Sequence, residues 1–437
     1  MITVAKFGGS SVANAEQFKK IKNIVESDDK RRVVVVSAPG KRNSNDSKVT
    51  DLLYLLSYHV KYNVDNTLIF TQIENRYEEI NRDLGLNFDV KGEIETIKEN
   101  ILNGASEDYL VSRGEFLCAK LMAKFLGFTF VDAKDLIFFN YDGTLNYEKI
   151  TEAVSNKVAE FGKIVVPGFY GTYPSGEVKL FSRGGSDITG SLMAMGIKSE
   201  VYENWTDVSG LLMADPRIVQ NPLSIAEITY DELRELSYMG ASVLHEETIF
   251  PVRELNIPIH ILNTNIPTDA GTIICKESTK NSFPITGISG KKNFTAFTIV
   301  KSVSADKLTV IRDALNVLDK FHVSVEHIPT SIDSFNIIVD NKKIEKVLHD
   351  VVVELKKIKG VLSVDIDDDI ALVAVVGKNM VYKPGISGKI FSIFGKNNIN
   401  IKTIAQGTHE INIIVGISNA EFENSIRAIY KGIVFGE

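Results

Sequence analysis

Over the first 280 residues the apolar positions follow two rhythms. Short unbroken runs, ITVAKF (2–7), RVVVVSAPG (32–40), KIVVPGFYG (163–171) and EVYENWTDVSG (200–210), each end in glycine or polar residues. Between them lie stretches with helical spacing, among them 14–26, 49–62 and 113–126. Apolar strands alternating with helices predict an α/β domain: a mostly parallel sheet covered on both faces, three layers in all. In such sheets ligands sit outside the carboxyl ends of the strands. Those are the places where this chain puts its glycines.

The last third repeats itself. FTAFTIV (294–300) falls on IALVAVV (370–376), and VSVEHIPTSIDSFNIIV (323–339) falls on INIKTIAQGTHEINIIV (399–415), with NIIV in the same place. Leu315 and Leu318 fall on Phe391 and Phe394, each pair on one helix face. Each copy reads strand, helix, strand, turn, strand, with a second helical stretch after it (342–359 and 420–431). Two copies are too few for a solenoid, which needs at least three, so the pattern predicts a small regulatory module of two βαββαβ units. The polar, turn-rich KESTKNS and SGKKN place the boundary near 276–293, and the acid run DIDDD (365–369) reads as a solvated hairpin turn.

Composition narrows the function. The 437 residues are 44% hydrophobic and 24% charged, which is globular. A net charge of −7 without a long basic run argues against nucleic acid or an anionic membrane as partner. No apolar run approaches about 18 residues, so no membrane span is expected. Cys118 and Cys275 lie far apart in apolar surroundings, as reduced thiols of a cytoplasmic protein would. Met1 leads directly into a strand, which argues against a signal peptide.

Three clusters carry candidate chemistry. KFGGSS opens the chain with Lys6, Gly8, Gly9 and Ser10; SRGGSDITG (182–190) holds Arg183, Gly184, Gly185, Ser186 and Asp187; NWTDVSGLLMADPR (204–217) holds Thr206, Asp207, Asp215 and Arg217. Neither GxxxxGK[ST] nor GxGxxG can be written on them, which disfavours a nicotinamide-dependent dehydrogenase. Taken singly, each reads equally well as a turn or a surface ion pair. Together, two glycine turns at strand ends can present N–H groups to a triphosphate while a lysine and an arginine offset its charge. Phosphoryl transfer asks for just such positioning and charge stabilisation.

KFGGSSV, SRGE (112–115), SRGGSD, WTDV with ADPR, and MGASVLH (239–245) resemble, in order and spacing, the aspartate kinase family, from residue 2 to the C-terminus. The resemblance implies an amino-acid kinase domain over 1–280, followed by two tandem ferredoxin-like ACT domains at 294–360 and 361–437. It implies ATP, with Mg²⁺, phosphorylating the side-chain carboxylate of L-aspartate to 4-phospho-L-aspartate, which opens lysine, threonine and methionine biosynthesis. By position, Lys6 would contact both the attacking carboxylate and the γ-phosphoryl group, with Asp187 orienting it. Gly8, Gly9, Ser10, Gly184, Gly185, Thr206, Asp207 and Arg217 would hold the nucleotide. Arg183 would pair with the α-carboxylate, Glu115 with the α-ammonium, and Ser37, Thr50 and Ser186 would line the substrate end. In the ACT region, Thr309, Val310, Ile311, Glu326 and Ser331 align with effector positions, lysine being the first choice of inhibitor and threonine the second. A homodimer, or a dimer of dimers, follows from ACT pairing. One departure is Ser242, where the family commonly has a lysine reaching ATP. His245, Glu246 and Glu247 lack the HExxH spacing of a metal site. The rivals are a kinase for glutamate or acetylglutamate and a non-catalytic amino-acid sensor.

Overall fold

In the computed structural model the described residues are 2–182, 184–240, 244, 246–278, 283–381, 383–407 and 411–436, with 246 and 247 described for backbone only. The chain forms two compact units. One comprises Met1–Leu211, Ser224–Tyr230 and Val243–Lys280; the other comprises Leu212–Leu223, Asp231–Ser242 and Asn281–Glu437.

The first unit is built on an eight-stranded sheet. Its strands are β1 (Thr3–Phe7), β2 (Arg31–Val36), β3 (Thr129–Phe130), β4 (Ile164–Pro167), β7 (Tyr202–Thr206), β8 (Glu227–Thr229), β9 (Ile259–Asn263) and β10 (Thr272–Cys275), with the hairpin of β5 (Tyr170–Thr172) and β6 (Val178–Leu180) beside it. The order is β3-β4-β2-β1-β7-β9-β10-β8, and every pairing is parallel except β9 with β10. β1 is buried along its whole length, as are the last four valines of β2. Stiff β-branched chains covered on both faces are what a central parallel strand requires.

Among the described residues, seven α-helices precede β7: α1 (Ala15–Glu26), α2 (Val49–Lys61), α3 (Thr67–Asp83), α4 (Val90–Leu102), α5 (Glu107–Leu126), α6 (Tyr147–Phe161) and α7 (Gly185–Gly196). Their starts are written locally. Asn14, Asp89, Ser106 and Asn146 each accept a first-turn N–H through the side chain, and Gly127 closes α5 with φ +70°. α5 lies over β2 and β4; α7 lies over β1, β2 and β7. α7 is buried at every residue but Asp187, and a Cβ on its Gly190 would come within 2.6 Å of the Tyr202 ring, so a small residue lets helix and strand meet.

In the second unit the strands β11 (Gly287–Lys301), β12 (Val325–His327), β13 (Ser334–Asp340), β14 (Val361–Val376), β15 (Thr403–Ala405) and β16 (Asn412–Ile417) form one sheet in the order β12-β13-β11-β14-β16-β15. Both NIIV segments lie in equivalent strands, β13 and β16. The helices Lys307–Lys320 and Leu348–Lys357 pack Val310, Leu318, Val351 and Leu355 against Phe297, Ile299, Phe335 and Ile337.

Two expectations are corrected here. The 276–293 boundary is not all linker, because SGKKN lies inside β11. Residues 287–291 pair with 372–376 of β14, while 294–301 pair with β13 and with the first half of β14. The second repeat is therefore completed by residues that precede the first, and the sheet reads alike from either edge. The acid run 365–369 is likewise no hairpin turn but the middle of β14. Its strand edge opposite β11 is open, where charges are tolerated and discourage further pairing; Lys402 holds Asp367 at 2.9 Å and the Asp369 carbonyl at 2.7 Å. Among the described residues, no helix is long and apolar enough to cross a membrane.

Candidate active site

Side chains alternate along β1, so Lys6 faces away from Phe7. Phe7 stacks on Trp205 of β7, with ring centroids 6.0 Å apart, and Trp205 is buried in the core. Lys6 turns toward the α7 layer, only 6% exposed, and forms an ion pair with Asp187 in the first turn of α7. Asn204, the register neighbour of Lys6 on β7, donates to the same Asp187 oxygen at 2.9 Å. The Tyr202 hydroxyl donates to the Asp187 carbonyl at 3.1 Å. A lysine, a carboxylate and an amide from three elements thus converge at the carboxyl ends of the central strands. Asn204 was not singled out from sequence, because its burial and its partner Asp187 are set by the fold.

The glycine turn follows at once. The Gly8 N–H donates to the Trp205 carbonyl at 3.1 Å, and a Cβ on Gly8 would lie 3.6 Å from the Lys6 Nζ. Gly8, Gly9 and Ser10 are partly exposed, whereas Ser11 is buried and bonded to Thr264 at 2.8 Å. Across the site Gly184, at φ +59°, and Gly185 begin α7, whose first N–H groups have no partner within the helix. Ser186 is nearly buried against Gly168. Arg183 lies outside the described residues, as do Ser242 and His245.

Glu115 sits in the middle of α5. Its helix comes close to β2 because Gly114 leaves room: a Cβ there would stand 2.9 Å from that of Ala38. Glu115 is 4% exposed, and among the described residues its Oε2 has no hydrogen-bond partner. Burial pushes its carboxyl up to about 8, against the pull of the Ala38 N–H, its own N–H and the Arg113 charge. Arg113 itself is occupied, bonded to Ser112 and the Tyr109 carbonyl and lying over the Tyr109, Phe116 and Tyr170 rings. Ser37 follows β2, its N–H on the Phe7 carbonyl, and Thr50 opens α2. Thr206 ends β7 and Asp207 follows it, the Thr206 hydroxyl donating to Asp207 at 3.2 Å. Among the described residues, no group of three or more His, Cys, Asp or Glu side chains stands close enough to hold a metal ion.

Arg217 belongs to the second unit, where it clasps Asp215 at 2.6 Å on an exposed turn. Of the effector positions, Thr309 donates its main-chain N–H at 2.8 Å to Asp306, the N-cap of its helix, and Val310 is core. Ile311 packs against that core, and the Ser331 carbonyl accepts from Lys307 at 2.6 Å. Glu326 accepts the Tyr238 hydroxyl.

A lysine and two glycine turns thus meet at the carboxyl ends of a parallel sheet. Residues 1–263 match the amino acid kinase family and 373–432 match an ACT domain. Aspartokinase 3 of Bacillus subtilis is 34% identical over 99% of both chains. The crystal structure of Clostridium acetobutylicum aspartate kinase, described as an allosteric enzyme, superposes with a TM-score of 0.95 at 47% identity, covering 99% of this chain and 100% of that one. Escherichia coli aspartokinase III, solved with lysine and aspartate in its T-state, gives 0.78 at 25% identity over 99% of each chain. The chain belongs to the aspartokinase family, and it is a kinase.

Proposed function

We propose that this enzyme transfers the γ-phosphoryl group of ATP to the side-chain carboxylate of L-aspartate. The observation that carries the reading is Lys6, buried at a strand end beside the glycine turn and held there by Asp187. A compact ammonium at that point offsets two anions that must approach each other. The N–H groups of Gly8, Gly9 and Ser10, and of Gly184 and Gly185 at the start of α7, receive the phosphates; Thr206 and Asp207 are assigned to the rest of the nucleotide. Glu115 takes the α-ammonium and Arg183 the α-carboxylate, with Ser37, Thr50 and Ser186 beside them. One carboxylate oxygen bonds to the γ-phosphorus, the bond from that phosphorus to the β-phosphate oxygen breaks, and ADP leaves. No proton moves, because a carboxylate is already a nucleophile at neutral pH. A magnesium ion bound with ATP would neutralise charge on the phosphates; such sites need only one or two carboxylates, and Asp187 is the residue that would hold it.

The test traps the acyl phosphate. With MgATP and hydroxylamine, the protein is expected to yield a hydroxamate with aspartate and none with glutamate or acetylglutamate; hydroxamate from glutamate alone would move the substrate assignment.

The ACT region is read as two domains, 294–360 and 361–437, the second completed by 287–291. It is taken to bind an inhibitory amino acid, lysine first and threonine second. Support comes from the lysine-bound relative and from Glu326, a carboxylate suited to a side-chain ammonium. Inhibition requires the effector to favour one of two states. Lysine is therefore expected to lower the rate with a threshold set by Glu326, and Glu326→Gln to shift that threshold at least about tenfold. A rate indifferent to lysine and responsive to threonine would reverse the order. A cytoplasmic homodimer or dimer of dimers, working at the head of lysine, threonine and methionine synthesis, completes the reading.

A further inference from the structure

A buried guanidinium stands behind the glycine turn. Arg76 projects from the middle of α3 and is 4% exposed. Its Nη1 donates to the Gly40 carbonyl at 2.8 Å, and its Nη2 to Asp46 at 2.5 Å and the Ser47 carbonyl at 3.3 Å. These acceptors lie at the two ends of the loop that joins β2 to α2. Asp46 also receives the Arg42 main-chain N–H and its Nε, each at 2.9 Å, and the Val49 N–H closes the loop on the Pro39 carbonyl at 3.1 Å.

The loop in turn lies directly on the phosphate turn. The Gly40 N–H donates to the Gly9 carbonyl at 2.8 Å, and a Cβ on Gly40 would stand 2.7 Å from the Gly9 carbonyl carbon. Backbone meets backbone there with nothing between. A Cβ on Gly9 would meet the same stretch, 3.1 Å from the Ala38 carbonyl and 3.5 Å from the Gly40 Cα.

We propose that Arg76 is a positioning residue for catalysis: by gripping both ends of the Gly40–Ser47 loop it seats Gly40 against the Gly9 peptide and fixes the orientation of the Gly8–Ser10 N–H groups. The same loop leads into Thr50 at the start of α2. Only a planar fork reaches two carbonyls and a carboxylate at once, so lysine cannot replace it. The merely structural reading is that this is a buried ion pair, and such pairs add little net stability.

The proposal rests on Gly8–Ser10 receiving the phosphates of ATP. Arg76→Ala, Gly40→Ala and the double variant are compared in the full chain, by kinetics and thermal unfolding. Arg76→Ala is expected to lose about 100-fold in kcat/KM for MgATP, the scale of a misplacement near 1 Å. Guanidinium ion at low millimolar concentration restores a substantial part of the activity. Gly40→Ala shows the same kinetic defect with Arg76 in place, is not rescued, and the double variant is no worse than either single, as members of one chain of contacts behave. Wild-type kinetic constants in Gly40→Ala, or in a folded Arg76→Ala of lowered melting temperature, would overturn the proposal, as would additive losses in the double variant. A wild-type protein that turns over no ATP would instead overturn the phosphate reading beneath it.

Discussion

Lys6→Met is expected to lower kcat by about 1000-fold, the upper range for removing one preorganised donor from a developing charge. Methionine keeps the length and apolar stem of the side chain and removes only the ammonium. Aspartate and ATP then approach as two uncompensated anions at the end of β1. The variant also leaves Asp187, itself largely buried, without its cation, and breaking a buried pair costs about 3–5 kcal/mol. A loss of activity could therefore be mistaken for a loss of fold. Pairing Lys6→Met with Asp187→Asn removes that ambiguity, since the amide still accepts from Asn204. The double variant is expected to regain thermal stability and to remain as inactive as Lys6→Met. Steady-state kinetics beside thermal unfolding check both; a Lys6→Met enzyme within tenfold of wild type would dismiss Lys6 from the transfer step.

The second large effect is a proton. Glu115 is buried with one oxygen unpartnered, and its carboxyl is pushed up to about 8 from an ordinary 4.5. At neutral pH the free enzyme holds it protonated, whereas an α-ammonium group requires the carboxylate. Aspartate must therefore displace a proton to bind. Its dissociation constant is expected to fall about tenfold per pH unit between pH 6 and 8, and to level off above that. Calorimetry at pH 7 in buffers of different ionisation enthalpy should register release of nearly one proton. Glu115→Gln is expected to bind aspartate about 100-fold more weakly, losing a charge-assisted partner, and to do so without that pH slope. The same group sets a stability trend in the unliganded protein. Between pH 4.5 and 8 the folded state keeps a proton that the unfolded state has released. This contribution is complete below 4.5 and is lost as pH rises toward 8, and Glu115→Gln should flatten it. A pH-independent aspartate affinity in the wild type would place the α-ammonium elsewhere.

Much of this architecture is written locally. The valine runs of β2 and β4 can be little else than central parallel strands, and the glycines at the end of β1 and before α7 do lie at turns between strand and helix. The internal repeat gave both halves of the second sheet, down to the matched NIIV strands. What the chain did not show is where strands are shared. SGKKN is polar enough to read as linker, yet it pairs with Ala374 and its neighbours because the second repeat lacks a fourth strand of its own. DIDDD looks like a turn until the strand edge that solvates it is known. Asn204 and Arg76 were missed for a similar reason. Each owes its role to partners far away in sequence: Lys6 and Asp187 for one, Gly40 and Asp46 for the other. Burial of a polar side chain is a property of the fold, and no local pattern announces it.

The most direct test of the central claim is phosphorus NMR of the protein mixed with MgATP and L-aspartate at near-stoichiometric concentration. An acyl-phosphate resonance that grows as ADP appears, and that is absent when asparagine replaces aspartate, is the predicted result. ATP converted to inorganic phosphate at the same rate with or without aspartate, or left intact, would contradict it.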